Sequence, residues 1–231
     1  MPALRPSVIK RFRKVYEKGG HGGHDITHVE RFDVWKKKVC RVVKGVDPDK
    51  YDAAEWLHNA DRYKIFARRI KQIGIIEFCL ECLEDSGFSD EAKMDIAVTV
   101  AEHSKFKDEP HDSPLLKAIR LADKLDRMCA LGILAIGANA LRPYDTAHPF
   151  GYATTVEGKM KTLYDNCFRV IEWYGMMPSD EARALVPKRN FRYLIGFVRQ
   201  LGREMALATG IPNGSEADLK KALGEYYNRW R

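Results

Sequence analysis

Apolar residues recur along the chain at three- and four-residue intervals, and no stretch alternates apolar and polar positions over a strand's length. The pattern predicts an all-α protein. A basic helix over about 7–18 runs into Gly19-Gly20-His21-Gly22-Gly23, which breaks regular structure and reads as a hinge. Asp25 is placed to cap a second helix, on which His28, Phe32, Trp35 and Val39 share one face. Further helices are expected over about 50–60 and from about 68 to Asp85, with Gly87 just past the end. Ser89-Asp90-Glu91 opens the next, aligning Ile96, Val100 and His103, and Pro110 and Pro114 precede one carrying Leu116, Ile119 and Asp123. Residues 142–155, with Pro143, Pro149 and Gly151, read as a long loop. Three helices are expected beyond it: about 156–174, about 179–208 closed by Gly210 and Pro212, and 215–230 opened by Ser215. With no internal repeat or low-complexity tract, the whole of 1–231 reads as one helical domain with a loop-linked C-terminal half.

Composition narrows this picture. The 231 residues are 45% apolar and 31% charged, enough for a sizeable core without disulfides or a structural metal. A bound metal is therefore expected to serve chemistry. The first twenty residues have no signal-like apolar core, and the longest uncharged stretch, Met128 to Leu141, is shorter than the about 20 residues a bilayer requires. No membrane partner is expected. Five scattered cysteines do not resemble a disulfide framework, which favours a reducing, cytoplasmic setting. Cys79-x-x-Cys82 lacks a second pair and reads as core packing. Trp173, Tyr174, Phe191, Tyr193 and Phe197 fit helix packing better than a base-stacking platform. The net charge of +7 admits a nucleic acid, a membrane surface or a small anion as partner. Its basic residues are spread along the chain, and Lys36 to Lys38 read as a solvated helix face.

Four polar residues interrupt the apolar faces of four different helices: His28, His58, His103 and Asp123. One such histidine is ordinarily a satisfied core residue. Four of metal-ligand type suggest helices converging their side chains on one point, as bundles do when they build metal sites. Imidazole and carboxylate together suit divalent zinc, iron or manganese.

The segments that carry these residues read His28-Val29-Glu30-Arg31, Ala54-Glu55-Trp56-Leu57-His58-Asn59, Ala101-Glu102-His103-Ser104 and Leu121-Ala122-Asp123-Lys124-Leu125. In order and spacing, over about residues 20–140, the chain resembles the HD-domain superfamily of metal-dependent phosphohydrolases, and its C-terminal half resembles the small bacterial single-domain members. The resemblance implies an HD-domain helical bundle with additional C-terminal helices, about 156–231. It implies a divalent ion (Mn, Mg, Co, Ni, Zn or Fe) held by His28, His58 and Asp123, with His103 beside the metal or substrate. Lys105, Lys124 and Arg127 would offset charge in the transition state, and Arg31 lies close enough in sequence to balance a phosphate. The implied activity is hydrolysis of a phosphate ester or anhydride in a small phosphorylated molecule, a nucleotide being favoured over a nucleic-acid duplex.

One position departs from the family pattern. The His-Asp doublet is here His58-Asn59, which replaces an anionic, bridging ligand by a neutral amide. That should weaken metal binding and favour fewer ions. Asp61 would substitute only if the helix unwinds after His58, and Glu55, three residues before it, is the better supporting residue. The alternative is a catalytically degenerate domain that binds a nucleotide or an acidic partner without turnover. A di-iron oxygenase is the weakest reading, because a two-metal site suffers most from the lost aspartate. His24-Asp25 is a literal His-Asp pair, but helix capping by Asp25 already accounts for it. Oligomeric state is not legible.

Overall fold

The computed structural model describes residues 2–18, 23–105, 107–140, 163–209 and 215–231. Most of the glycine run at 19–23, the loop expected at 142–155, the start of the helix expected at 156–174 and the closing Gly210 and Pro212 lie outside them. Among the described residues all regular structure is helical and no strand occurs, so the all-α expectation holds. The chain divides into two compact units, Met1–Asp123 and Lys124–Arg231.

In the first unit, α1 (Pro6–Glu17) starts on a proline, whose missing N–H is harmless in a first helical turn. Helix α2 (Ile26–Val42) is capped as expected: the Asp25 carboxylate accepts from the Thr27 and His28 amides. Helix α3 (Pro48–Leu57) has Asp47 as cap and Pro48 in its first turn, and it ends at His58. A 3-10 turn (Ala60–Arg62) leads into α4 (Lys64–Ile73), α5 (Ile75–Cys82), α6 (Asp90–Glu102, capped by Ser89) and α7 (Pro114–Arg127).

The helix expected over about 68–85 is in fact two. Gly74 sits at φ +88°, ψ 159°, a conformation that side chains exclude, so the backbone turns there and α5 restarts at once. Helix α3 is the hub of this unit, packed on both α2 and α6. Ala53 and Ala54 are fully buried on it, and their small side chains permit that close approach. Around it Phe12 stacks on Phe66 at 4.4 Å, and the Tyr16 hydroxyl donates to the Trp56 carbonyl at 2.8 Å.

The second unit holds α8 (Ala130–Ala140), α9 (Leu163–Gly175), α10 (Asp180–Ala184), α11 (Lys188–Thr209), α12 (Ser215–Leu223) and α13 (Tyr227–Trp230). The uncharged stretch around 128–141 is thus largely a helix. The helix expected at 179–208 breaks before Lys188, where Pro187 cannot donate an amide, and that expected at 215–230 is interrupted by a 3-10 turn at Gly224–Tyr226. Helix α9 packs on α8, α11 and α12. Tyr174, Phe191 and Trp230 form its aromatic centre, with ring centroids 4.7–5.2 Å apart. Tyr193 departs from the packing expectation, being 57% exposed on α11. All five cysteines are free thiols, and Cys79 and Cys82 are buried, as core packing requires. Burial pushes the Cys82 thiol up to about 11. Among the described residues no helix is long and apolar enough to cross a membrane.

Candidate functional site

His58 and His103 are held in the same way. Each is the residue that ends a helix, α3 and α6 respectively, and each carries its ring back to a carbonyl of the last turn. A helix end leaves such carbonyls without amide partners. His58 Nδ1 lies 2.7 Å from the Glu55 carbonyl, and His103 Nδ1 lies 2.7 Å from the Val100 carbonyl. A carbonyl only accepts, so both Nδ1 atoms carry the proton and both Nε2 atoms present a lone pair. Burial first, then the neighbouring His28 and His103, pushes His58 well below the usual imidazole range. Burial also lowers His103. Both rings are therefore neutral at physiological pH, the form in which imidazole binds a metal or takes up a proton.

The other candidates meet these rings. His28, in the first turn of α2, brings its Nε2 to 3.2 Å from His58 Nε2 and 3.6 Å from Asp123 Oδ1 on α7. The His58 and His103 rings meet edge to face at 5.3 Å. Phe32 stacks on His58 at 4.6 Å and closes the apolar side. His28, His58, Asn59 and His103 are all buried. Residues separated by as many as 95 positions in sequence, 28 to 123, thus converge from α2, α3, α6 and α7.

Asn59 starts the 3-10 turn and directs its amide nitrogen at His58 Nε2. The supporting partner of His58 is the main-chain carbonyl of Glu55, while the Glu55 carboxyl lines a separate cavity in which none of the histidines takes part. Asp61 is half exposed and pairs with Arg62 at 3.6 Å. Arg31 donates to the Thr27 hydroxyl at 2.9 Å, one turn earlier on α2. Lys105 is exposed and paired with Glu102. Lys124 and Arg127 follow Asp123 on α7, and both are buried. The His24 ring lies 5.6 Å from that of His28.

Arg120 was not legible as a site residue. It is 2% exposed and donates to Asp112 at 2.5 Å, to Asp108 at 3.3 Å and to the carbonyls of Lys107 and Glu102 at 3.0 and 3.1 Å. It fastens the segment that follows His103 onto α7. A basic residue directly beside the apolar positions Ile119 and Leu121, with Asp108 and Asp112 upstream, was the available signal.

Two ligand atoms held about 2.0–2.2 Å from one ion stand about 2.8–3.6 Å apart at tetrahedral or octahedral angles. The His28–His58 and His28–Asp123 spacings fall in that range. Two imidazoles, a carboxylate and an amide are a donor set that a divalent transition metal accepts. Among the described residues, no set of three or more His, Cys, Asp or Glu side chains is already arranged to hold an ion. The spacings fit pair by pair, and the full shell would need the side chains to close in.

No protein-family model and no curated protein matches the chain. Solved structures do. A structural-genomics target from Lactobacillus plantarum superposes with a TM-score of 0.65 at 17% identity, over 88% of this chain and 99% of that one. YpgQ of Bacillus subtilis in complex with ADP gives 0.58 at 19% identity, over 85% and 97%. A second structure of YpgQ gives 0.58 at 18% identity, over 86% and 96%. At such identities the likeness concerns architecture, and the chain shares the all-α fold of these bacterial proteins.

Proposed function

We propose that this protein is an HD-type, metal-dependent phosphohydrolase acting on a phosphate ester or anhydride in a small molecule, with a nucleotide as the favoured substrate. The observation that carries the reading is the buried convergence of His28, His58 and Asp123 at 3.2 and 3.6 Å, with His103 beside them. The ADP complex of YpgQ, a protein of similar fold, supports the nucleotide.

His28, His58 and Asp123 would hold a divalent ion, which when bound supplies Lewis acidity and a water of lowered pKa. The Nδ1 bond from His58 to Glu55 fixes which nitrogen is offered and keeps the ring from turning. His103, neutral and tied through Nδ1, has only Nε2 free to take up a proton and is the general base. Phe32 and the burial of the cluster keep bulk water away and strengthen charge interactions inside it. Arg31 and Lys105, on the segments that carry His28 and His103, balance phosphate charge.

One observation favours the second reading, a domain that binds a nucleotide without turnover. The Asn59 amide nitrogen donates to the lone pair of His58 that a metal would use. Turning the amide over would present its oxygen there instead, but still without a negative charge.

Phosphate release from a nucleotide panel, with Mn, Mg, Co, Ni, Zn or Fe added singly, tests both. The enzyme reading expects metal-dependent release that His58→Ala lowers by about 10²-fold or more. Absence of turnover in the parent, with turnover appearing in Asn59→Asp, would instead establish the degenerate binder.

A further inference from the structure

A cavity of about 390 Å³ lies in the first unit between the N-terminal segment, α1, α2 and α3. We propose that it is a binding site for a small aliphatic ammonium ion, a diamine or polyamine, separate from the histidine cluster. Five carboxyl groups line it against one guanidinium, Arg13. Acidic clusters on helix surfaces are common, and this one alone would mean little. Glu55 distinguishes it. That residue is 5% exposed, yet among the described residues its carboxyl accepts no hydrogen bond and makes no ion pair. Its oxygens are not sealed in the core, since the carboxyl forms part of the cavity wall.

A buried carboxyl without a partner is costly, and a native fold that keeps one ordinarily gives it work. The nearby cations are already engaged. Lys36 holds both Asp52 oxygens at 2.5 and 2.6 Å, and Arg13 lies 3.6 Å from Glu30 and over the Trp56 ring at 5.4 Å. Burial first, then Asp52 and Asp33, pushes the Glu55 carboxyl up to about 8, while Lys36 opposes this without pairing. An incoming cation would meet Glu55 and Asp33 together.

The walls choose the kind of cation. A bare divalent ion needs six or more oxygens packed at about 2.0–2.6 Å, and a space of this size offers too much room for such a shell. Leu4, Ile9 and Val29 instead present an apolar surface that suits a methylene chain. The last turn of α3 serves both places, because its Glu55 carbonyl holds His58 while its Glu55 carboxyl enters this cavity.

Calorimetric titration of the full chain with 1,4-diaminobutane and with spermidine, at pH 8 and low ionic strength, tests the proposal. Saturable binding at one site is expected, weakened about tenfold or more by Glu55→Gln and measurably by Asp33→Asn. His58→Ala should bind as the parent does, which separates this site from the proposed hydrolase. 1,4-Butanediol, of similar length without charge, should not bind. A melt at pH 8 shows whether Glu55→Gln is folded, and Asp33→Asn carries the test if it is not. Absence of saturable binding, or equal affinity in both carboxyl variants, overturns the proposal. So does binding of magnesium, calcium or manganese that depends on Glu55 when the amines do not bind.

Discussion

Glu55 shows how much a single position in a helix can carry. Its carbonyl fixes the tautomer of His58, and its carboxyl, raised to about 8, is protonated in the fold at neutral pH. In the unfolded chain the same group titrates near 4.5. Between those values the unfolded state has lost the proton that the fold retains, so stability falls as pH rises from about 4.5 to about 8. Glu55→Gln keeps the shape and removes the titration. It should match the parent near pH 4 and exceed it at pH 8.5 by a few kcal/mol, since each pH step between the two values costs the parent at most about 1.4 kcal/mol. Chemical denaturation at the two pH values measures the difference, and a gap that does not depend on pH would refute the assignment. Asn59 is the other residue on which much turns. Its identity was plain in the sequence, but its placement against His58 Nε2 was not, because a rotamer is set by neighbours from other helices.

The helices follow local chemistry closely. Asp25 and Ser89 cap where short polar side chains before an apolar run would place them. Boundaries inside long periodic stretches were harder. Gly74 could have been an ordinary helical glycine, and only its φ of +88° shows that α4 and α5 are separate. Gly74→Ala has open space for the new methyl group, so any cost comes from the backbone alone. It should destabilise by about 1–3 kcal/mol in urea denaturation, with no change in metal content. Arg120 ties together elements that no local pattern associates. Arg120→Met leaves Asp108 and Asp112 beside each other with their shared cation gone. A loss of about 3–5 kcal/mol is expected in the same measurement. Proteolysis should also become faster within 102–112, the segment that Arg120 fastens.

At the scale of the molecule, binding and stability are linked. If the His28–His58–Asp123 cluster holds a divalent ion only when folded, saturating metal adds the binding free energy to stability, about 2.7 kcal/mol at a hundredfold excess over Kd. The melting temperature should then rise by about 5–10 °C for the parent and not for His58→Ala. An equal rise in both proteins would place the metal elsewhere. Some of the basic residues pair locally, as Lys36 does with Asp52 and Arg199 with Glu216.

Hydropathy period, caps and prolines act within a turn or two of chain, and the sequence by itself therefore determined the all-α class, most helix starts and the four segments bearing candidate ligands. Those segments lie up to 95 residues apart, from 28 to 123, and no local rule relates them. The packing of α3 against α2 and α6 sets the distances among His28, His58 and His103. The same packing decided that Glu55 turns its carboxyl away from His58 into an acidic cavity, and that Arg120 is buried rather than solvated. Contacts between distant segments form only when the whole core closes, and there the tertiary structure had the decision.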